Sequence, residues 1–466
     1  MHENVRSSIF PGRCIMDNKP VYFRRIVLVL VVAICIFFAV KHLDLKEYSV
    51  SNEQEYINRV CKMSDIPALS VAVWDGENEE FLNYSNGEQK ADEHSLYELA
   101  STTKAFTGLG ILQLEKNGKL DLDDPVQKYI PDFHAVYNGR EVQITVRQLM
   151  NHSSGIPFYS LERIPEESYR EGGLYKSLHR LYNVTLSFEP GSRYEYSTVN
   201  YDFLAVIIEK VSGREYWEYI KMNVLDKNGM TESFFRTDEI QENVTPGHKQ
   251  AFLYPYQYNA PVYYGNTAAG YLISDTSDLM KWMKAVPGLF DFESFPISPE
   301  NNYYAGWNVY DDYVCHAGNN PNYSSQVYVS RTKPLGVFVL SSENGSSVTV
   351  IGEGLFKMHQ GEKVKIGWFS DLYDTLDLVF VLVPLLIMYG ICWIPLRSKN
   401  RALARLAIGC LLILAMVVFP FVSPVGYRFC FIWYPGTLAF LLGGTGLVSI
   451  YLIMKTMIYL ITEAMS

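Results

Sequence analysis

The stretch "ELASTTKAF", residues 98–106, sets Ser101 three residues ahead of Lys104. On a helix that spacing puts both side chains on one face, so hydroxyl and amine can meet. Such a pair suits nucleophilic chemistry, in which the serine attacks a carbonyl carbon and a deprotonated lysine receives its proton. Burial and a neighbouring positive influence lower a lysine pKa enough to allow this. A serine in the first turn also presents its hydroxyl where backbone N–H groups and the helix dipole favour negative charge. Alone, serine-x-x-lysine is a weak signal, because it equally describes a capping serine and a solvated lysine.

Two further stretches carry residues of matching chemistry. In "EPGSRYEYSTVNY", residues 189–201, Tyr196 and Thr198 follow a Pro-Gly turn and precede a helix. A tyrosine beside a lysine ammonium ionises more easily and can act as a general base toward serine. In "VCHAGNNPNYSS", residues 314–325, a strand ends in His316-Ala317-Gly318. Gly318 permits close backbone approach, so the N–H groups of Asn319 and Ser101 could converge on an oxyanion. By residue type alone, Tyr196 is one of 34 tyrosines and His316 equally a structural histidine.

The elements that must position these residues read as one mixed domain over 46–370. "YINRVCKM" is an entry helix. "PALSVAVW" and "EFLNYS" are strands joined by a turn at Asp75-Gly76. The stretch 102–117 carries Phe106, Leu109 and Leu112 at helical spacing and stops at Asn117-Gly118. Thr145 and Gln148 form a capping-box pattern opening a short helix. "NYDFLAVIIEKVSG" is a second strong helix, ending at Ser212-Gly213. "YVCHAG", "YSSQVYVS" and "LGVFVLSS" read as three adjacent antiparallel strands, followed by a closing helix over 347–360. Strands at both ends and helices between them predict an α+β fold, an antiparallel sheet with an inserted helical region.

The rest of the 466-residue chain is unlike this domain. An apolar run fills 26–40, and three more lie at about 375–395, 406–425 and 431–454. The last three are long enough to span the hydrocarbon core. The first suits an uncleaved signal anchor, with Met16 an alternative start. Basic residues set the orientation. Arg24 and Arg25 precede the first segment, Arg397, Lys399, Arg401 and Arg405 follow the second, and Lys455 ends the fourth. The expected organisation is a cytoplasmic N-terminus and anchor over 1–45, an extracytoplasmic domain over 46–370, and three transmembrane helices over 371–466. The lipid bilayer is thus an expected partner. A net charge of −10 and the lack of a long basic run argue against nucleic acid. Seven cysteines exclude a disulfide scaffold. Only Cys61 and Cys315 fall in the expected external part, and whether they pair is left open. The histidines show no metal-ligand spacing, so no metal or organic cofactor is implied.

The three motifs together, in this order, resemble the serine hydrolase superfamily of class C β-lactamases, penicillin-binding D-peptidases and related esterases, whose pattern is S-x-x-K, then Y-x-N, then K-T-G or H-x-G. The flanks "ITVRQLMNHSSGIP", "NGMTES" and "AAGYLISDTSDLMKWM" match as well, so the resemblance spans about 66–345. It implies a β-lactamase/transpeptidase-like domain. It implies Ser101 as the acylated nucleophile, Lys104 as its partner and Tyr196 as general base returning the proton to the leaving group. It places His316 and Thr198 at the substrate, with Gly318 and the Asn319 amide in the oxyanion strand. Two departures stand out. Thr198 replaces the usual asparagine, and His316 stands where lysine commonly pairs with a substrate carboxylate. Both point away from penicillins.

A catalytic domain followed by three membrane helices also resembles prodrug-activating peptidases of the colibactin-maturing type, which remove an N-acyl-D-asparagine cap. Thr198, His248, Asn319 and Asn320 are polar residues that could read an amide, although His248 and Asn320 equally suit structural roles. The leading expectation is a membrane-anchored hydrolase of a small-molecule or peptide amide, N-acylated next to a D-residue. An esterase or D,D-peptidase acting on the cell envelope stays open, as does a sensor that acylates without turnover.

Overall fold

The computed structural model describes residues 19–87, 90–164, 173–235, 243–294, 302–391 and 399–465. Met16 and Arg397 lie outside them. Two compact units emerge. One comprises Leu43–Asp377 together with Pro420–Leu438. The other gathers the N-terminal helix, which carries the apolar run 26–40, and most of the C-terminal helical residues.

The apolar runs of the first unit are buried strands. β1 (Ala68–Trp74), β2 (Glu79–Ser85), β3 (Tyr303–Tyr304), β4 (Trp307–Val309), β5 (Tyr313–Asn319), β6 (Ser324–Ser330) and β7 (Gly336–Ser341) form one antiparallel sheet in the order β3-β4-β5-β6-β7-β1-β2. Every neighbour in it is antiparallel. The central strands are covered on both faces, which is why they read as continuous apolar runs rather than alternation. Successive side chains still divide between the faces. Val337 and Val339 of β7 join Val71 and Val73 of β1 in one core, against α1 (Glu53–Met63) and a helix over Ser347–Met358. Phe338 and Leu340 face the second core, with the inserted helices. An additional pairing joins the ends of the domain: Leu43–Tyr48 runs antiparallel to Val364–Trp368. Val364, Ile366 and Trp368 alternate with Lys365 and Gly367, and Leu43 and Leu45 flank Asp44, but runs this short do not reveal a partner so distant in the chain.

The helical insertion surrounds α2 (Lys104–Lys116) and α3 (Val199–Ser212). The expected helix at 102–117 begins instead as a 3-10 turn over Ala100–Thr103 and becomes α-helical at Lys104. It is no surface helix: every residue of Lys104–Ile111 is buried, and Phe106 stacks on Trp282 with centroids 4.1 Å apart. The capping box is present, with Thr145 Oγ1 accepting from Gln148 N–H and Gln148 Oε1 from Thr145 N–H. Gly213 ends α3 in the left-handed region at φ 70°. Cys61 and Cys315 are free thiols.

The short turn between β3 and β4 is wedged onto the start of α2. A Cβ on Gly306, at φ +91°, would lie 2.3 Å from Ala105 N, and one on Gly108 would lie 2.3 Å from Ala305 O. Backbone occupies both spaces and cannot swing aside. Gly118, also left-handed, has nothing within 4 Å. We therefore expect Gly108→Ala and Gly306→Ala to destabilise by about 1–3 kcal/mol from overpacking. For Gly306 a further ~1 kcal/mol of conformational strain is added. Gly118→Ala should cost only that strain. Thermal melting of the three variants checks the order, and equal shifts would remove the wedge from the account.

Candidate active site

Ser101 sits in the 3-10 turn ahead of α2, and the preceding residues are held from several directions. Leu99 N–H donates to Leu272 O at 2.8 Å, while Leu99 O accepts from Thr102 Oγ1 at 2.8 Å and Ser325 Oγ at 2.5 Å. Ala100 adopts φ +49°, a conformation costing a non-glycine residue roughly 1–2 kcal/mol. The surrounding bonds keep it there and turn Ser101 toward a cleft.

Lys104 follows one turn later. Its Nζ lies 3.0 Å from Ser101 Oγ and donates to Ala269 O at 2.8 Å. The residue has no exposed surface. Burial lowers its pKa to about 7, against the opposing pull of the Asp202 carboxylate. Asp202 is itself wholly enclosed, and neither carboxylate oxygen has a hydrogen-bond partner among the described residues. Burial pushes the Asp202 carboxyl well up, and Lys104 draws it back. At neutral pH a large share of Lys104 is therefore the free amine, with a lone pair available to the Ser101 hydroxyl.

Tyr196 lies between Lys104 and a ring of aromatic side chains. Lys104 Nζ is 5.1 Å from its ring centroid, and His152 and Tyr303 flank it at 4.3 and 6.1 Å between centroids. Burial raises the Tyr196 pKa, and a bond with the Ser101 hydroxyl pulls it the other way. The net direction is upward, so the resting phenol is neutral.

The histidines are neutral too. His316 Nδ1 lies 2.6 Å from Ala317 O and His316 Nε2 lies 2.8 Å from Tyr303 OH. Since a carbonyl only accepts, Nδ1 carries the hydrogen and Nε2 accepts from the tyrosine. Burial, and then the Lys104 charge, depress the His316 pKa to about 3. His316 thus orients Tyr303 beside Tyr196 and supplies no positive charge. His152 Nδ1 accepts from Asn200 Nδ2 at 3.0 Å and Ser197 N–H at 3.3 Å, and burial holds its pKa well below the usual range.

The strand that carries His316-Ala317-Gly318 approaches Ser101 as its glycine suggests. A Cβ on Gly318 would lie 2.9 Å from Ser101 N and 2.6 Å from Leu99 O. β4 pairs only with Val314 and Cys315 of β5, leaving the outer edge of residues 316–319 to the cleft. Thr198, at the start of α3, and Asn319 line the same cleft, although Asn319 Oδ1 also accepts from Gly345 N–H at 3.1 Å. The cleft has a volume of about 420 Å³ and joins Ser101, Tyr196, Thr198, His316 and Asn319. Its described lining contains no lysine, arginine, aspartate or glutamate.

The two other polar candidates behave differently. Asn320 reaches the lining, but its Nδ2 donates to Glu98 Oε2 at 2.7 Å and Gly270 O at 2.9 Å, so its amide is engaged. His248 stands on a separate hairpin, its N–H on Ser342 O at 2.7 Å, and is not part of the cleft. Residues the motifs did not reveal include Tyr303, indistinguishable among so many tyrosines, and Asp202, one polar residue on an apolar helix. His152 lay within the matched flank "NHSSG", which was its one signal. Phe429 and Trp433, over 100 residues beyond the last motif, also line the cleft. Among the described residues no cluster of three or more His, Cys, Asp or Glu side chains is arranged to hold a metal.

The β-lactamase family model matches residues 55–355. Protein flp of Staphylococcus aureus (strain NCTC 8325 / PS 47) is 31% identical over 350 residues, covering 68% of this chain and 69% of the relative. Penicillin-binding protein 4* of Bacillus subtilis (strain 168) is 32% identical over 281 residues, covering 52% and 60%. Among solved structures, the octameric penicillin-binding protein homologue from Pyrococcus abyssi is similar with a TM-score of 0.57 at 24% identity, over 72% of this chain and 82% of that one. A D-stereospecific amidohydrolase from Streptomyces sp. gives 0.52 at 25% identity, over 66% and 98%. The matched span holds Ser101, Lys104, Tyr196 and His316 in the fold these structures share, and the chain belongs to the β-lactamase family of serine hydrolases.

Proposed function

We propose that this protein is a membrane-anchored hydrolase that forms an acyl-enzyme at Ser101 and cleaves neutral N-acyl-D-amino-acid amides outside the cytoplasmic membrane. The observation that carries the reading is a serine hydroxyl 3.0 Å from a fully buried lysine, opening into a cleft whose described lining has no lysine, arginine, aspartate or glutamate. The similarity to a D-stereospecific amidohydrolase supports the choice of a D-residue. Three helices long and apolar enough to cross a membrane, Leu372–Gly390, Asn400–Val422 and Leu438–Met465, support the anchoring. Pro420–Leu438, between the last two, clusters with the catalytic unit. That grouping favours the orientation read from the basic residues, with this loop and the catalytic domain on the same side.

In this mechanism the neutral Lys104 amine takes the Ser101 proton as Oγ attacks the carbonyl carbon. The resulting oxyanion is held by the Ser101 and Asn319 N–H groups. Tyr196 passes a proton from the Lys104 ammonium to the leaving amine, which departs as the acyl-enzyme forms. Water then attacks the ester, the same groups move its proton, and the acid leaves with Ser101 restored. A phenol held neutral by burial serves better as this relay than as the first base. His152, Tyr303 and His316 fix its ring.

Ser101→Ala should abolish labelling by a fluorophosphonate probe, because only a serine with a positioned base forms the adduct. Lys104→Ala and Tyr196→Phe should each slow acylation by roughly 10²–10⁴-fold, and the double variant by far less than the product. The reactive amine is deprotonated, so the acylation rate should climb as pH rises through about 7. The two neutral histidines add no second limb between roughly pH 5 and 9. Stopped-flow acylation across that range checks this, and a rate falling with pH would exclude the free amine as base.

Substrate choice follows from the missing cation. A substrate carboxylate finds no charged partner in the described lining, and losing such a contact costs about 1.5–3 kcal/mol, or roughly ten- to a hundredfold. A long-chain N-acyl-D-asparaginyl amide should therefore show a higher kcat/KM than a chromogenic cephalosporin, and its L-epimer should be poor. Assays on detergent-solubilised enzyme decide. A preference for the cephalosporin, or equal cleavage of the epimers, would return the chain to a β-lactamase-like or general esterase reading.

A further inference from the structure

The catalytic cleft has one wall that the matched family span does not supply. Residues 55–355 carry the family, yet Phe429 and Trp433 line the cleft together with Phe158, Tyr159 and Leu161. Both lie on α4 (Tyr427–Trp433), in the loop between the second and third C-terminal apolar helices. Their rings stack at 5.5 Å, one turn apart. A second cavity of about 100 Å³ shares Leu161, Phe429 and Trp433 with the first. The shared residues are apolar, and Glu162 and Arg428 also line the second cavity. Phe158 and Tyr159 leave 51% and 42% of their surface exposed, more than a closed core would leave.

The wall is fastened to the catalytic unit at both ends. Gly426 N–H donates to Glu162 Oε1 at 2.8 Å, just before α4 begins. At its end Lys249 Nζ donates to Phe431 O at 2.6 Å and Ile432 O at 3.0 Å, a cation closing orphan carbonyls of the last turn. Gly436 N–H then donates to Gln250 O at 2.7 Å, and Thr437 Oγ1 bonds Asp377. Lys249 is only 4% exposed, with Tyr258 under its ammonium at 4.7 Å. A buried lysine spent on two main-chain carbonyls marks a specified position for this helix.

We propose that Phe429 and Trp433, with Phe158, Tyr159 and Leu161, form a subsite for a hydrocarbon arm of the substrate, and that Lys249 is the positioning residue that holds α4 against the cleft. The occupant is a flexible alkyl chain rather than a polar or charged group. Within the catalytic cleft the described lining offers stacked rings and a leucine without a charged side chain, while Glu162 and Arg428 enter only at the adjoining cavity. A loop strung between two apolar helices also suits a substrate that partitions into lipid. This subsite rests on the reading of Ser101 as the acylated nucleophile.

The test uses the full-length enzyme in detergent and a series of chromogenic esters and N-acyl-D-asparaginyl amides with chains of increasing length. Within each variant the long-chain to short-chain ratio of kcat/KM is the readout, so a general loss of activity cancels. The wild-type ratio should rise with chain length. Phe429→Ala and Trp433→Ala should each lower it about tenfold, the effect of roughly two methylenes no longer buried. Leu161→Trp should cut off the longest chains while shorter ones remain. Lys249→Met should lower the ratio chiefly through KM for long chains, and Lys249→Arg should restore it. A flat wild-type profile with Ser101 still labelled overturns the subsite, as does a profile that Phe429→Ala and Trp433→Ala leave unchanged. No labelling of Ser101 overturns the underlying reading itself.

Discussion

Almost everything about this site depends on keeping one lysine out of water. Lys104 has no exposed surface and two polar neighbours within 3.0 Å, Ser101 Oγ and Ala269 O. Desolvation disfavours its ammonium, and that makes the amine available near neutral pH. The fold supplies the enclosure. α2 runs through the middle of the helical insertion, the β3–β4 turn presses on its first residues where only glycines fit, and Ala100 is held in a strained conformation. Asp202 limits the effect from inside the core, since its carboxylate favours the charged lysine. A more exposed Lys104 would stay protonated and pair with the serine without activating it.

Around this pair the chain places neutral, oriented groups instead of charges. His316 accepts from Tyr303 and donates to a main-chain carbonyl, so both ring nitrogens are committed. His152 is likewise engaged at Nδ1 and enclosed by Tyr194, Tyr196, Tyr201 and Tyr303. Protonating either would bury a second positive charge near Lys104. The same arrangement leaves the described lining of the cleft without a lysine or arginine.

The loop between two C-terminal apolar helices extends the argument beyond the catalytic fold. Its short helix packs against the mouth of the cleft through Phe429 and Trp433, with Lys249 at its C-terminal carbonyls.

The amino-acid sequence by itself determined the chemistry and the scaffold type. Ser101 and Lys104 share a face through local geometry, and β1, β5, β6 and β7 were legible as strands from their runs and bounding turns, since side-chain periodicity is a property of neighbours in the chain. Helix ends were legible for the same reason: Thr145 with Gln148 and Gly213 act within a few residues. Contacts made across long separations were not legible. Tyr303 meets His316 because two strands pair, Asp202 biases Lys104 because two helices cross, and neither residue differs in type from many others. The chain order also hid Phe429 and Trp433, inside what reads as a membrane region. Only tertiary structure decided which tyrosines and which aromatic loop surround the serine, because burial and field depend on everything packed nearby and not on the local pattern.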